Sequence, residues 1–141
     1  MAQNVWDEVP DWGGVGALRL DRTGDLGAAV WEFQPGQSQF VYHFHRASEE
    51  LLLVLRGTPT VRMRDGDHAL GEGDVVSFPR GPEGGHQIRN DGADVARVLL
   101  VSTNANPDVS EYPDTGKIGI NLGGEYRFHR SADAVDNAGP E

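Results

Sequence analysis

The chain has 141 residues, which is enough for a single domain with its own hydrophobic core. Its net charge of -10 disfavours binding to nucleic acid or to an anionic membrane surface. Because cysteine is absent, disulfides, thiolate metal sites and cysteine nucleophiles are excluded. The first residues have neither a basic start nor an apolar stretch, which argues against a secretory signal, and we expect a cytoplasmic protein.

Residues 1–26 are predicted to form an irregular N-terminal extension that packs on the rest of the domain, with Trp6 and Trp12 as packing anchors. From Gly27 to Ser102 the sequence alternates apolar and polar residues in short runs separated by turn residues. This pattern is typical of β-strands joined by tight turns. We predict eight strands and no helix, in the segments AAVWEF, QFVYHFH, ELLLVLR, TVRMR, DHALG, VVSFP, HQIRN and ARVLLVST. Such spacing indicates a closed all-β fold, either a sandwich or a jelly-roll barrel.

Residues 103–141 are rich in Asn, Asp, Pro and Gly, which predicts a segment that wraps the surface of the domain. The last residues are typical either of a frayed tail or of a short helix. The predicted organisation is therefore an N-terminal extension at 1–26, a barrel at 27–102, and a C-terminal wrapping segment and tail at 103–141.

The third predicted strand is apolar on both faces, because residues 51–55 read LLLVL. A strand with one solvated face would alternate apolar and polar residues. The outward face must therefore be covered, either by the N-terminal extension or by a second subunit. We predict a homodimer, since an exposed patch of this kind usually marks an interface.

Four ionisable side chains lie within or beside these apolar strands. His43 and His45 are two residues apart, so they point to one face of their strand, and Glu50 shares a face with Leu52 on the next strand. His86 opens a strand after a glycine-rich loop. If these faces are interior, three imidazoles and one carboxylate converge, and a divalent cation would keep the buried carboxylate ionised. The pattern predicts a site for one divalent ion of Fe, Mn, Zn, Ni, Co or Cu.

At these residues the sequence resembles the cupin superfamily, whose first motif is written G(X)5HXH(X)3,4E(X)6G. Its positions are occupied by Gly36, His43, His45, Glu50 and Gly57, with six residues rather than five after the first glycine. The extra residue falls in a turn, where insertions are tolerated.

The second cupin motif is written G(X)5PXG(X)2H(X)3N. Its positions are occupied by Gly73, Pro79, Gly81, His86 and Asn90, with a loop before the histidine that is two residues longer than the pattern. Both motifs occur in order, and the amino-acid sequence around the second is similar to that of small single-domain bacterial cupins.

The resemblance implies a double-stranded β-helix, here with irregular N- and C-terminal extensions, that holds one divalent metal ion in its interior. Carried over to this sequence, the ligands of the family are His43, His45, Glu50 and His86. Glu49 is the alternative carboxylate, because the motif allows three or four residues before it. Only Glu50 has the six-residue spacing to the closing glycine.

Four protein ligands on a six-coordinate ion leave about two positions for water, O₂ or substrate oxygens. The absence of an obvious general base places a metal-dependent dioxygenase slightly ahead of an isomerase or lyase. The alternatives are a non-catalytic module that binds or senses a small ligand, and a cupin retained only for interaction. We expect a small oxygenated metabolite, because the predicted lining is mostly apolar. The residues predicted to line the site are Trp31, Phe33, Val41, Leu52, Val54, Met63 and Ile88.

Three further residues could bind a substrate carboxylate or a metal ion, but they lie outside the ligand positions of the motifs. Arg80 either contacts a substrate carboxylate or is a solvated loop residue, and the second is favoured. His68 and His129 are expected to lie on the surface.

Overall fold

The computed structural model describes residues 2–11, 15–22, 24–39 and 41–136. This part of the chain forms twelve strands and two single 3-10 turns, so the predicted all-β class is confirmed. None of its helical turns has the length and apolar character that crossing a membrane requires. The 3-10 turns are Pro82–Gly84 and Ser131–Asp133. The strands are β1 (Gly16–Arg22), β2 (Leu26–Phe33), β3 (Phe44–His45), β4 (Glu50–Arg56), β5 (Thr60–Met63), β6 (Gly66–Ala69), β7 (Val75–Phe78), β8 (His86–Arg89), β9 (Ala96–Thr103), β10 (Asp108–Tyr112), β11 (Lys117–Leu122) and β12 (Glu125–Arg130).

The strands form two facing layers, in the arrangement of a double-stranded β-helix. One layer is a five-stranded sheet in the order β1-β2-β9-β4-β7, in which neighbouring strands are antiparallel. The other layer combines a four-stranded sheet, β12-β11-β10-β3, with a three-stranded sheet, β6-β5-β8. Isolated bridges from Ser38 to Arg89 and from His43 to His86 join these two sheets. The second bridge places two predicted ligands on adjacent backbones.

The hydrophobic core lies between the two layers. Because side chains alternate along each strand, every strand contributes its inward set and the two sets interdigitate. Fully burying one such side chain stabilises the fold by about 1.5–3 kcal/mol. The central residues of the core are Phe33, Leu52, Val54, Val61, Phe78, Ile88, Val98 and Leu100.

All eight predicted strands are present, but the second is much shorter than expected. Only Phe44–His45 forms a regular strand, β3, which pairs with β10. Before it, the described residues contact β8 at intervals, through hydrogen bonds that include Gln39 N to Ile88 O (2.7 Å) and a reciprocal pair between the backbones of His43 and His86 (3.1 and 3.0 Å). The ladder is therefore interrupted, although the chain still runs beside β8.

Both ends of the chain were predicted to be irregular, and this is wrong, because four strands lie there. Strand β1 lies within the predicted N-terminal extension and pairs antiparallel with β2. Strands β10, β11 and β12 lie within the predicted wrapping segment and form an antiparallel sheet. Turn residues between the strands hid this sheet, since only five or six residues separate one turn from the next. The tail ends in the short turn Ser131–Asp133.

The outward face of β4 is partly exposed in the single chain, although its apolar sequence predicted that this face is covered. Leu51 is 42% exposed, and Val75 on the neighbouring edge strand β7 is 56% exposed. Trp6 is exposed and lies against Arg97, so it is not the buried packing anchor that was predicted. Trp12 lies outside the described residues. The predicted homodimer stays a prediction, and this face is where we expect it to form.

We expect Val75→Glu to convert a dimer into a monomer, because it places a charge within the predicted apolar interface. The measurement is molar mass by light scattering at micromolar concentration. Val135→Glu is the matched control, since Val135 is 84% exposed in the C-terminal tail. A wild-type chain that elutes as a clean monomer would contradict the dimer.

Candidate metal centre

The structure brings the four predicted ligands together at one end of the space between the layers. One donor atom from each of His43, His45 and Glu50 lies within 4.8 Å of the others. The fourth residue, His86, is nearby, because its Nε2 lies 3.8 Å from Glu50 Oε2 and its ring centroid lies 4.8 Å from that of His43. The convergence arises because His43, directly before β3, is bridged to His86 at the start of β8, while β4 approaches from the opposite layer.

Backbone carbonyls orient two of the imidazoles toward the common point. His43 Nδ1 donates to the carbonyl of Val41 at 2.9 Å, and His86 Nδ1 donates to that of Gly84 at 2.8 Å. A ring nitrogen that faces a carbonyl must carry the proton, so Nε2 of each ring keeps its lone pair. Fixing the tautomer through the far nitrogen is how metal-binding histidines are generally held.

The Nε2 atom of His86 has no hydrogen-bond partner among the described residues, although it is buried. The imidazole is 1% exposed and stacks on the ring of Phe78, with centroids 3.7 Å apart and planes at 11°. A buried polar atom without a partner costs about 1–3 kcal/mol. A cation at the common point would satisfy this lone pair.

His45 is held at both ring nitrogens by carboxylates. Its Nε2 lies 2.7 Å from Glu50 Oε1, and its Nδ1 lies 2.8 Å from Asp108 Oδ2. Burial opposes protonation, but the hydrogen bonds and charges of Asp108 and Glu50 outweigh it and raise the pKa of His45 to about 9. Burial alone would raise the pKa of Glu50. The hydrogen bond from His45 and the charges of the three histidines outweigh burial, so the pKa of Glu50 is lowered. In the protein alone, a proton therefore links His45 to Glu50.

The other two imidazoles are neutral near pH 7. Burial lowers the pKa of His86 to about 4, and burial also lowers the pKa of His43. Two neutral imidazoles, a third whose proton a cation would replace, and an ionised carboxylate form an N₃O donor set. This set suits divalent first-row transition metals. The residues present fit one such ion.

The structure distinguishes the two glutamates and places the remaining candidates. Glu49 is exposed and its carboxylate faces Arg80 Nη1 at 3.3 Å, on the outer side of β4. Arg80 also donates through Nε to the carbonyl of Ala47 at 2.6 Å, and its side chain is exposed. His68 is exposed and pairs with Asp65 at the surface, and His129 is exposed on β12. Only Glu50 reaches the cluster.

A cavity of about 640 Å³ adjoins the cluster, and its wall includes His45 and Glu50. Of the predicted apolar lining, only Trp31 lies on this wall. The prediction of a mostly apolar lining is wrong, since hydroxyl and amide side chains prevail. Predicted lining residues that belong instead to the fully buried core are Phe33, Leu52, Val54 and Ile88. The polar residues on the wall include Gln39, Ser48, Ser102, Thr103, Asn104 and Asn121.

Strand β10 supplies site residues that the sequence analysis missed. Asp108 hydrogen-bonds to His45, Ser110 Oγ lies 3.2 Å from His45 Nδ1, and the ring of Tyr112 stacks on that of His43 with centroids 5.9 Å apart. The three residues alternate along the strand, so all face the cluster. Their alternation in DVSEY was the available signal, but the Asn, Asp, Pro and Gly content of residues 103–141 indicated a wrapping segment without strands.

Comparison with known proteins agrees with this architecture. Residues 29–102 match a family model described as Cupin domain. No curated protein matches the chain in sequence.

Solved structures resemble most of the chain. A sugar phosphate isomerase from a cupin superfamily, from Silicibacter pomeroyi DSS-3, has a TM-score of 0.78 at 24% identity over 89% of this chain and 82% of its own. A putative sugar phosphate isomerase from Acidithiobacillus ferrooxidans has a TM-score of 0.74 at 28% identity over 84% of this chain and 80% of its own. KdgF from Halomonas sp. has a TM-score of 0.63 at 20% identity over 74% of this chain and 93% of its own.

These findings agree with the two motifs and with the two-layered sheet that carries them. The family model spans more than half of the chain, from β2 through β9, and includes all four converging side chains. The chain therefore belongs to the cupin-domain family.

Proposed function

We propose that this cupin is a metal-dependent enzyme that binds one divalent transition-metal ion and acts on a small hydroxylated molecule. His43, His45, Glu50 and His86 would hold the ion. The observation that carries the proposal is the buried Nε2 of His86, which has no hydrogen-bond partner among the described residues and lies near the carboxylate of Glu50 and the ring of His43. When bound, the ion supplies Lewis acidity toward oxygen atoms of the substrate.

The cavity beside the cluster supports a hydroxylated substrate. Hydroxyl and amide groups on its wall can donate to and accept from sugar-like hydroxyls, which an apolar lining could not do. Tyr126 lies on the same wall and stacks on Phe128, with centroids 6.2 Å apart. These rings are 55% and 59% exposed, so they offer a flat apolar surface at the rim.

This lining leads us to place an isomerase or lyase ahead of the dioxygenase that the sequence favoured. The similarity to the putative sugar phosphate isomerase from Acidithiobacillus ferrooxidans, at 28% identity, supports the same direction. The residues of this chain would orient the substrate through Ser48 and Asn104, while Phe78 shields the ring of His86 from water.

A non-catalytic module that binds a small ligand is the second candidate. Among the described residues, the cavity wall carries two carboxylates, those of Glu50 and Asp108. Burial raises the pKa of Asp108, but the hydrogen bonds from His45 and from the backbone outweigh this and lower the pKa to about 2. Such a carboxylate is a weak proton acceptor at pH 7, which favours binding over proton abstraction.

We expect Mn²⁺-loaded protein to relax water protons strongly, because four protein ligands leave open positions on the ion. The measurement is water-proton relaxation against the chelator-treated protein, followed by titration with aldoses, ketoses and their phosphates. If one of these compounds displaces water from the ion and is also turned over, the protein is an enzyme. If it displaces water but is not turned over, the result supports the binding module. Relaxation equal to that of a fully enclosed ion would contradict both.

A further inference from the structure

We propose that Asp108 is a positioning residue that sets the tautomer of His45, so that Nε2 of this ring faces the cation. The inference rests on the proposed metal centre. It concerns a residue on β10, outside the residues 29–102 that match the family model. Asp108 would therefore hold one of the ligands, His45, in position without binding the ion itself.

The carboxylate of Asp108 is fixed at both oxygens. Oδ1 accepts hydrogen bonds from the backbone N–H groups of Ala47 (3.0 Å), Ser48 (3.3 Å) and Val109 (2.9 Å). Oδ2 accepts from His45 Nδ1 at 2.8 Å. The residue is only 7% exposed. Three donors on one side leave the side chain a single orientation, with an acceptor toward the histidine.

This arrangement decides which nitrogen of His45 is free. An acceptor opposite Nδ1 requires a proton there, so the lone pair of the neutral ring must lie on Nε2. Nε2 is the atom that faces Glu50 and the common point of the cluster. A carboxylate behind a metal-bound histidine also raises the basicity of the ring, and loss of such a partner typically lowers metal affinity by about 10–100-fold.

The substitution Asp108→Asn turns this argument into a test. The three backbone donors retain an acceptor only if the amide oxygen takes the Oδ1 position, which turns the amide NH₂ toward His45. Nδ1 must then accept a hydrogen bond, and the proton moves to Nε2, where it blocks metal binding. Asp108→Ala removes the carboxylate without adding a donor and leaves Ser110 Oγ beside Nδ1, where the hydroxyl can donate or accept, so His45 can still adopt either tautomer.

The two variants separate positioning from a structural role. We expect Zn²⁺ affinity to fall by about 10–100-fold in Asp108→Asn and by less in Asp108→Ala. The metal-free Asp108→Ala protein should be thermally less stable than the metal-free Asp108→Asn protein, because alanine leaves three backbone N–H groups without their partner. Asp114→Asn is the matched control, since Asp114 is an exposed carboxylate paired with Arg62.

The measurements are competition with a chromophoric Zn²⁺ chelator, thermal unfolding, and the ¹⁵N shifts of the His45 ring in the Zn²⁺-loaded protein. In the wild type we expect a protonated Nδ1 and a metal-bound Nε2. A wild-type protein that fails to bind Zn²⁺ would overturn the metal centre itself. Normal Zn²⁺ affinity in Asp108→Asn, or a weaker affinity in Asp108→Ala than in Asp108→Asn, would overturn only the role of Asp108.

Discussion

Replacing His86 with leucine is expected to lower the affinity for Zn²⁺ or Mn²⁺ by more than about 100-fold, because a direct ligand is lost rather than one of its supports. The same change should alter the stability of the metal-free protein by less than about 2 kcal/mol. Leucine fills most of the space of the imidazole against Phe78 and removes the buried Nε2 that has no partner. It also leaves the carbonyl of Gly84 without its donor, which offsets part of this gain.

The measurement is the metal content of protein purified without an affinity tag, together with metal-binding titrations and thermal unfolding. Glu50→Gln is a second variant that keeps the size of the side chain, and it should also lose the metal because the negative charge is gone. His68→Leu is the matched control, since His68 is exposed and lies outside the cluster. Wild-type and His86→Leu proteins with equal, near-zero metal would contradict the metal centre.

The positions of the four converging side chains could be predicted from the sequence because strand parity and the two motifs agree. The spacing to Gly57 and strand parity favoured Glu50 and left Glu49 as the alternative, and the structure places Glu50 in the cluster and Glu49 against Arg80. The loop before His86 is longer than the motif, yet the histidine still reaches the cluster. The extra residues are accommodated by the turn Pro82–Gly84, which keeps the start of β8 in place.

The wall of the cavity could not be predicted in the same way. Parity assigns a side chain to a face of the sheet, but it does not give its depth between the layers. Phe33 and Ile88 share the inner face, yet they lie in the fully buried core rather than at the open end. Asp108 was missed for a related reason. Its contact with His45 joins residues 63 positions apart in the chain, and the register between β3 and β10 sets it.

A second large effect is expected at the loop that carries His86. A Cβ atom added to Gly84 would lie 1.8 Å from the carbonyl oxygen of Pro79 and 2.8 Å from its carbonyl carbon. Both atoms belong to the backbone, so no side chain can move to relieve the overlap. Gly84→Ala must therefore displace the loop. Overpacking that forces a backbone shift typically costs about 1–3 kcal/mol, and the overlap with backbone atoms places this change at the upper end of that range. We expect the melting temperature to fall by roughly 10 °C.

The same displacement should weaken metal binding, because the carbonyl of Gly84 accepts the Nδ1 proton that orients His86. Stability and affinity are thus coupled in Gly84→Ala, whereas His86→Leu affects mainly the affinity. Thermal unfolding and Zn²⁺ titration of both variants test this difference. Gly71→Ala is the matched control, since its added Cβ would meet no atom closer than Asp74 Oδ2 at 3.9 Å. If Gly84→Ala were as stable as Gly71→Ala, the loop would not be packed as tightly as its contacts with Pro79 require.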